Sequence, residues 1–228
     1  MRRRIFLAFM AAVLLSCVPA QADDLNSVLA RLNTAAQGFH SVSADFTIVA
    51  LTTVPIEDTT TQTGQVFYER TGKSFRMAAH IHDENGQAVP KTFTFSSGVL
   101  QLWQGPPVDQ VTRFSRSSKY ESYVLLGFGA SGTELQDQWN ITYDGDETID
   151  GVKTAKLELV AKDPTVRKNI PKVTVWMDTT RGVSLKQVFD EGQGQTRTCN
   201  YSNFKFNERL PSDAFTFKTD KNTQYRSQ

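Results

Sequence analysis

The stretch Ser43-Ala44-Asp45-Phe46-Thr47-Ile48 marks the point at which the chain takes on the two-residue hydrophobic period of a β-strand. Within it apolar and polar side chains alternate, which places the apolar ones on one face. Similar short runs continue almost to the C-terminus, separated by turn sequences such as Glu84-Asn85-Gly86 and Asp150-Gly151. This pattern predicts a large antiparallel sheet with one buried and one solvated face. We expect its strands at residues 43–52, 63–70, 74–82, 91–96, 99–104, 109–114, 138–143, 153–161, 172–178, 183–190, 195–206 and 214–218.

The segment that precedes the first strand has the period of a helix instead. Its apolar residues from Leu25 to Phe39 recur at i, i+3, i+4 and i+7 and form one stripe. Asp24 is placed to cap the N-terminus of this helix, and Gly38 is placed to end it. We therefore expect an amphipathic helix over residues 24–38.

The stretch 116–135 interrupts the strand pattern. An apolar cluster there is followed by Gly127, Gly129 and Gly132, which predicts one or two short helices with a flexible exit. An N-terminal helix and a short helical insert against one strongly curved antiparallel sheet make an α+β fold. All-β chains of this length often form one unit, so we expect a single domain over residues 23–228.

Residues 1–22 have the three parts of a secretory signal. They are a basic start, the apolar run Ile5–Leu15 and the cleavage-site sequence Ala20-Gln21-Ala22. The run is too short to span a bilayer, so we expect a soluble exported protein after cleavage at Ala22. Leu14-Leu15-Ser16-Cys17 is similar to a bacterial lipobox, and lipidation of Cys17 is the open alternative.

Composition and motifs exclude several classes of function. The chain has 228 residues with 25 basic and 24 acidic side chains, far from the basic surface that contacts with nucleic-acid phosphates require. No G-x-S-x-G elbow or phosphate-binding P-loop occurs. His80 and His82 share one face of a predicted strand, but without a third ligand nearby they favour a surface position over a metal site. We expect no catalysis, no cofactor, no metal and no nucleic-acid partner.

The predicted sheet carries more aromatic side chains than one long helix and a short insert can cover. Any one of these residues on its own is better explained as part of an ordinary core. Taken together, they predict a half-open apolar cavity between the sheet and its lid, of the kind that holds lipid chains.

Six groups of residues follow one another along the mature chain, and their order is more distinctive than any one of them. They are Gly38–Phe46, Thr63–Arg70 with Phe75-Arg76, Ser97–Trp103 with Pro106–Val111, Met177-Asp178 before Gly182, Asp190-Glu191-Gly192, and Asn203–Asn207 before Pro211 and Phe215-Thr216-Phe217. In this order they resemble the LolA family of periplasmic carriers for outer-membrane lipoproteins. The resemblance covers nearly the whole mature chain.

This resemblance implies an unclosed, strongly curved antiparallel barrel whose mouth is covered by helices and whose cavity takes acyl chains. In the family, a basic residue at the end of the second strand helps to hold the lid closed, and Arg70 matches that position. Thr71-Gly72 stand where the family often has a proline, and the lid matches the family only in its apolar character.

The function implied by the resemblance is a periplasmic chaperone that moves acylated lipoproteins from an inner-membrane ATP-driven exporter to an outer-membrane receptor. We expect it to act as a monomer. Burying three chains of about fifteen methylenes is worth on the order of 35 kcal/mol, so loading must be driven by the exporter. The side chains predicted to contact acyl chains are Phe46, Phe67, Phe75, Phe93, Phe95 and Trp103 in the sheet and Tyr123, Leu125 and Leu126 in the lid.

Two other functions fit the same fold. One is an outer-membrane-anchored receptor for lipids or lipoproteins, lipidated at Cys17. The other is a periplasmic sensor or interaction module, which predicts a collapsed cavity and a tightly bound protein partner. An enzyme ranks behind both, because the sequence shows no acid–base pair or activated nucleophile.

Overall fold

The computed structural model describes residues 24–72, 74–114 and 126–228. The expected lid residues Tyr123 and Leu125 lie outside these ranges. The described helices are α1 (Leu25–Gln37), α2 (Gly132–Gln138) and α3 (Pro164–Asn169). The described strands are β1 (Ser41–Thr52), β2 (Asp58–Thr71), β3 (Ser74–Glu84), β4 (Gln87–Ser96), β5 (Val99–Gln104), β6 (Gln110–Phe114), β7 (Trp139–Ile149), β8 (Val152–Ala161), β9 (Lys172–Asp178), β10 (Val183–Gly192), β11 (Gln195–Phe206) and β12 (Gln224–Ser227).

The twelve strands form one sheet in the order β12-β6-β5-β4-β3-β2-β1-β11-β10-β9-β8-β7. Neighbouring strands are antiparallel, except that β12 runs parallel to β6. Because β12 and β7 are the two ends of this order, the sheet is unclosed. The unclosed antiparallel sheet expected from the sequence is confirmed, and it is consistent with a curved half-barrel.

Four expected strands differ from those observed by more than two residues. Strand β4 begins at Gln87 rather than at residue 91, and β7 ends at Ile149 rather than at residue 143. The other two differ for distinct physical reasons. The second strand begins at Asp58 rather than at residue 63, because the threonine run that precedes Gly64 continues the pairing with β1 as far as Thr52 opposite Asp58. Those threonines favour a strand but give no hydrophobic alternation. The strand expected at residues 214–218 is wrong, since this segment crosses the sheet without joining it, and β12 follows at Gln224.

Helix α1 follows its local sequence signals. The carboxylate of Asp24 accepts a hydrogen bond from the backbone N–H of Ser27 at 2.7 Å. At the other end of the helix, the backbone N–H of Gly38 donates to the carbonyls of Ala35 and Ala36. The apolar stripe buries Val28, Leu29 and Leu32 against the sheet. None of the described helices is long and apolar enough to cross a lipid bilayer.

The sheet has an inner face, on which α1 and α2 pack, and an outer face that the C-terminal segment crosses. Residues 207–223 pass over the outer face and are fastened by side chains of β3. His80 Nε2 lies 2.8 Å from the carbonyl oxygen of Ala214, and the guanidinium of Arg76 lies 4.0 Å from the centre of the Phe215 ring. The segment then joins β6 as β12.

Candidate functional site

The apolar side chains of the inner face form two separate clusters. The first, which we call the filled half, joins α1 and α2 to strands β7, β8 and β9. Leu32 of α1, Leu157 of β8 and Val175 of β9 are fully buried there. The second cluster lies mainly on β1 to β4, with contributions from Phe128, β10 and β11, and includes several rings that are only partly buried. We call this part of the inner face, together with β5, the hollow half.

The hollow half encloses a cavity of about 510 Å³. This volume lies within the range of about 300–1,000 Å³ that is usual for small-molecule sites. Its walls come from alternate residues of successive strands, as a period of two requires. The apolar lining consists of Phe46, Ile48, Ala50, Val66, Met77, Ala79, Ile81, Phe93, Leu100, Leu102, Phe128 and Tyr201.

The position of one cavity wall depends on Gly64. In the register of β1 and β2, Gly64 lies directly opposite Phe46. A Cβ atom at this position would lie 2.7 Å from the Phe46 ring and would collide with the backbone carbonyl of His80. The missing side chain therefore leaves room for the Phe46 ring in the cavity wall.

One end of the cavity is closed by aromatic rings. The ring of Phe128 stacks on that of Tyr68, with 6.2 Å between the ring centres, and meets the ring of Tyr201 edge-on, with 5.1 Å between the centres. Behind them, Phe75 stacks between Tyr68 at 5.6 Å and Phe95 at 5.4 Å. Because all these rings except Tyr201 are buried, this end is the floor of the cavity.

The opposite end carries the polar lining residues, which we call the rim. They are Thr60, Gln62, Lys91, Gln104 and Arg197. The rim lies where the β1–β2 and β5–β6 connections turn, and these two loops expose Val54, Ile56 and Val108 to solvent. The site therefore has apolar walls between a closed aromatic floor and a polar rim. This arrangement matches a ligand that has an apolar chain and a polar head.

A buried hydrogen-bond chain fixes the floor. The Tyr201 hydroxyl donates to Gln187 Oε1 at 3.3 Å, and Gln187 Nε2 donates to the backbone carbonyl of Leu126 at 2.8 Å. Burial raises the pKa of Tyr201 well above its usual value, so its hydroxyl stays protonated. These hydrogen bonds link residues 126–128 to β10 and β11.

Arg70 connects the end of β2 to helix α2. Its Nη2 donates to Glu134 Oε1 at 3.0 Å and its Nη1 donates to Oε2 at 3.3 Å. Glu134 also accepts from the backbone N–H of Ser131 at 2.8 Å and completes a capping box at the start of α2. Burial disfavours the ionised form of Glu134, but the hydrogen bonds from Ser131 and Arg70 outweigh it and lower the pKa.

The residues Gly127-Phe128-Gly129-Ala130-Ser131-Gly132 have the spacing G-x-G-x-x-G, which in some folds cradles a phosphate. Here the glycines allow close packing instead. A Cβ at Gly129 would collide with the ring of Phe39, and one at Gly132 would collide with the backbone of Leu29. The described strands before and after this segment, β6 and β7, lie near opposite ends of the sheet and do not form the βαβ unit in which this spacing marks a nucleotide site.

The structure separates the aromatic residues that the sequence grouped together. Phe46 and Phe93 line the cavity, whereas Phe75 and Phe95 lie behind its floor. Leu126 is buried in the filled half, which also contains α1, so this helix does not line the cavity.

Phe67 and Trp103 lie on the outer face, in a separate pocket of about 280 Å³ beneath the C-terminal segment. Both occupy the opposite phase of their strands, since Phe67 lies between the inward-facing Val66 and Tyr68. The Phe67 ring meets the ring of His80 edge-on at 5.1 Å.

Several lining residues were missing from the sequence prediction. The apolar ones are Ile48, Ala50, Val66, Met77, Ala79, Ile81, Leu100, Leu102, Phe128 and Tyr201. Counting alternate positions from Phe46 finds Ile48 and Ala50, and counting back from Phe93 finds Lys91, because residues of the same parity share a face. A search for aromatic residues alone overlooks aliphatic ones.

Neither a protein-family model nor a curated protein sequence matches the chain. Solved structures do match. An uncharacterized conserved protein from Thermus thermophilus has a TM-score of 0.53 at 10% identity, over 89% of this chain and 98% of that one. MucB has a TM-score of 0.51 at 13% identity, over 85% of this chain and 62% of that one. A LolA superfamily protein from Nitrosomonas europaea has a TM-score of 0.42 at 17% identity, over 86% and 99%. Identities this low concern the fold alone, which this chain shares with the Thermus thermophilus protein and with MucB.

Proposed function

We propose that this protein is a lipid carrier that holds a hydrocarbon chain in the cavity of the hollow half. The observation that carries the proposal is the cavity itself, about 510 Å³ of apolar space left open beside a filled core on the same face of one sheet. A sheet that needed only a stable core would fill both halves, because empty apolar space forfeits packing energy.

The energetics of such a site favour exchange over extraction. Removing one chain of about fifteen methylenes from water is worth on the order of 12 kcal/mol. A hydrocarbon chain in a bilayer is already removed from water. Moving it from the membrane into the cavity therefore gains little free energy. The protein would therefore accept cargo from a loading partner and pass it to a site of higher affinity.

The specific role we propose is the transfer of acylated lipoproteins through the periplasm. An inner-membrane ATP-driven exporter would load the protein and an outer-membrane receptor would unload it. Support comes from the resemblance of the sequence to the LolA family and from the signal-like sequence of residues 1–22. The intact mass of the exported protein tests the route, since an N-terminus at Asp23 means a soluble carrier and a lipidated Cys17 means an anchored one.

Filling the cavity tests whether it holds the ligand. Ala79 lines the cavity between Val66 and Phe93 in the sheet register, so Ala79→Trp places an indole inside it. Thr63→Trp is the matched control, because Thr63 is exposed and lies on β2 with its side chain away from the cavity.

The assay is the fluorescence of a fatty acid probe added to each purified protein. We expect the wild type and Thr63→Trp to bind the probe and Ala79→Trp to lose at least about tenfold in affinity, or about 1.4 kcal/mol. Circular dichroism would establish that both variants are folded. If the wild type binds no probe, or if Ala79→Trp binds as well as the wild type, the proposal is wrong.

A further inference from the structure

The charged side chains that line the cavity are all of one sign. Lys91 and Arg197 line its rim, and no aspartate or glutamate is among the described lining residues. The remaining polar groups of the rim are amides and a hydroxyl, from Gln62, Gln104 and Thr60. Lysine and arginine only donate hydrogen bonds, and amides and hydroxyls can also donate, so the rim is rich in donors.

The sheet register places both cations directly beside the apolar walls. Lys91 on β4 lies opposite Ile81 on β3, and Arg197 on β11 lies opposite Ala50 on β1. Ile81 and Ala50 both line the cavity. An amphiphile whose chain lies along these walls would therefore bring its polar end to the two cations.

Each cation is paired with one glutamate and has more N–H donors than that pair uses. Lys91 Nζ lies 2.6 Å from Glu84 Oε2, and Arg197 Nη2 lies 2.8 Å from Glu191 Oε1. An ammonium group has three N–H donors and a guanidinium has five, so one acceptor satisfies neither. Neither glutamate lines the cavity, which leaves the cationic side of each pair facing it.

We propose that the cavity selects amphiphiles with a single anionic head, a carboxylate or a phosphate, which Lys91 or Arg197 binds at the rim. This inference rests on the proposed function and specifies its ligand. The hydrocarbon chain lies against the apolar walls and supplies most of the affinity, while the rim discriminates between head groups. Charge-assisted hydrogen bonds at a partly desolvated site are strong enough to do so.

Competition with the fluorescent fatty acid probe tests the head-group preference. The competitors share a palmitoyl chain and differ in the head: palmitic acid carries a carboxylate, palmitoyl lysophosphatidic acid a phosphate, and monopalmitoylglycerol no charge. We expect the two anionic competitors to displace the probe at about tenfold lower concentration than the neutral one. A difference between the two anions identifies which head the rim prefers.

The double variant Lys91→Gln, Arg197→Gln assigns the preference to the rim. It should reduce the anionic advantage to within about twofold, because the anionic competitors lose more affinity than monopalmitoylglycerol does. Lys153→Gln with Lys172→Gln is the matched control, because these lysines are also ion-paired, with Asp146 and Glu158, and do not line the cavity. The control should keep the wild-type preference.

The outcomes separate this inference from the proposed function. Equal displacement by the neutral and anionic competitors overturns the head-group selection and leaves the carrier intact. An anionic preference that persists in the folded double variant overturns the assignment to Lys91 and Arg197. A wild-type protein that binds neither probe nor competitor overturns the carrier itself. The competitor series on the wild type decides the selection even where the double variant does not fold.

Discussion

The guanidinium of Arg70 binds both carboxylate oxygens of Glu134, at 3.0 and 3.3 Å, and so links the end of strand β2 to helix α2. The two residues are 64 positions apart in sequence. The Arg70 side chain is 15% exposed and that of Glu134 is 43% exposed, so the pair lies partly within the protein. It is the contact that couples the hollow half to the position of α2.

Breaking this pair should destabilise the protein and loosen α2. Arg70→Gln removes the partner of a half-buried carboxylate, and we expect the free energy of unfolding in urea to fall by about 1–2 kcal/mol. Release of a bound fatty acid probe should also become faster. Lys153→Gln removes an exposed ion pair with Asp146 and should change stability by less than about 0.5 kcal/mol. Equal effects of the two substitutions would contradict a special role for Arg70.

The same pair should give the protein a specific sensitivity to acid. The pKa of Glu134 is lowered from 4.5 in the folded protein, so folding favours its ionised form. The resulting stabilisation is complete above the unfolded-state pKa and is lost as the pH falls through the lower, folded-state pKa. Urea unfolding of wild type and Glu134→Gln should therefore differ at pH 7 and converge in strong acid. A stability difference independent of pH would show that ionisation of Glu134 is not its source.

Gly64→Ala should be among the most damaging single-methyl additions in the sheet. The new Cβ would meet both the Phe46 ring and the His80 carbonyl, and backbone cannot move as a flexible side chain does. We expect a loss of about 1–3 kcal/mol in urea unfolding, the usual cost of overpacking. Gly38→Ala is the control, since a Cβ there has nothing within 4 Å. An undisturbed Gly64→Ala would mean that β2 and β3 lie farther apart than the structure shows.

Phe128→Ala should deepen the cavity. The ring is 3% exposed and forms the floor, so its removal should lower stability by about 3–5 kcal/mol and extend the apolar space toward Tyr68. Competition with saturated fatty acids of increasing length should show a shift of the preferred chain toward longer ones. Phe204→Ala is the comparison, because Phe204 stacks on Phe206 and does not line the cavity. A preferred length that stays the same in Phe128→Ala would place the floor elsewhere.

Local signals made α1 and the strand-rich character of the chain predictable. The Asp24 cap, the Gly38 stop and the apolar stripe between them lie within one short segment, and the structure confirms the helix at Leu25–Gln37. Strand parity is also local, which is why Phe46 and Phe93 could be placed on the cavity wall. These features need no knowledge of distant parts of the chain.

Other features depend on long-range pairing that one strand does not encode. Register shifts put an extra residue on β11 opposite Ser43–Asp45 and on β4 opposite Ile81–Asp83, which changes the parity that faces inward on β11 and β4, so counting fails beyond them. The division into a filled and a hollow half depends on where α1 lies, and its stripe would fit either half. Phe215 and Phe217 alternate as a strand does, yet the ring of Phe215 packs under Arg76 on the outer face. The tertiary contact overrides the local pattern there.

An unclosed sheet leaves two borders whose backbone groups could recruit another chain. At one border, β7 carries a bulge between Tyr143 and Asp146 and a run of exposed acidic residues, both of which discourage such pairing. At the other, β6 is shielded by the four exposed residues of β12, held by backbone bonds from Gln224 to Asp109 and from Gln228 to Arg113. Strand β12 thus covers the outer backbone groups of β6, and we expect that removal of residues 224–228 would leave β6 open to pairing with another chain.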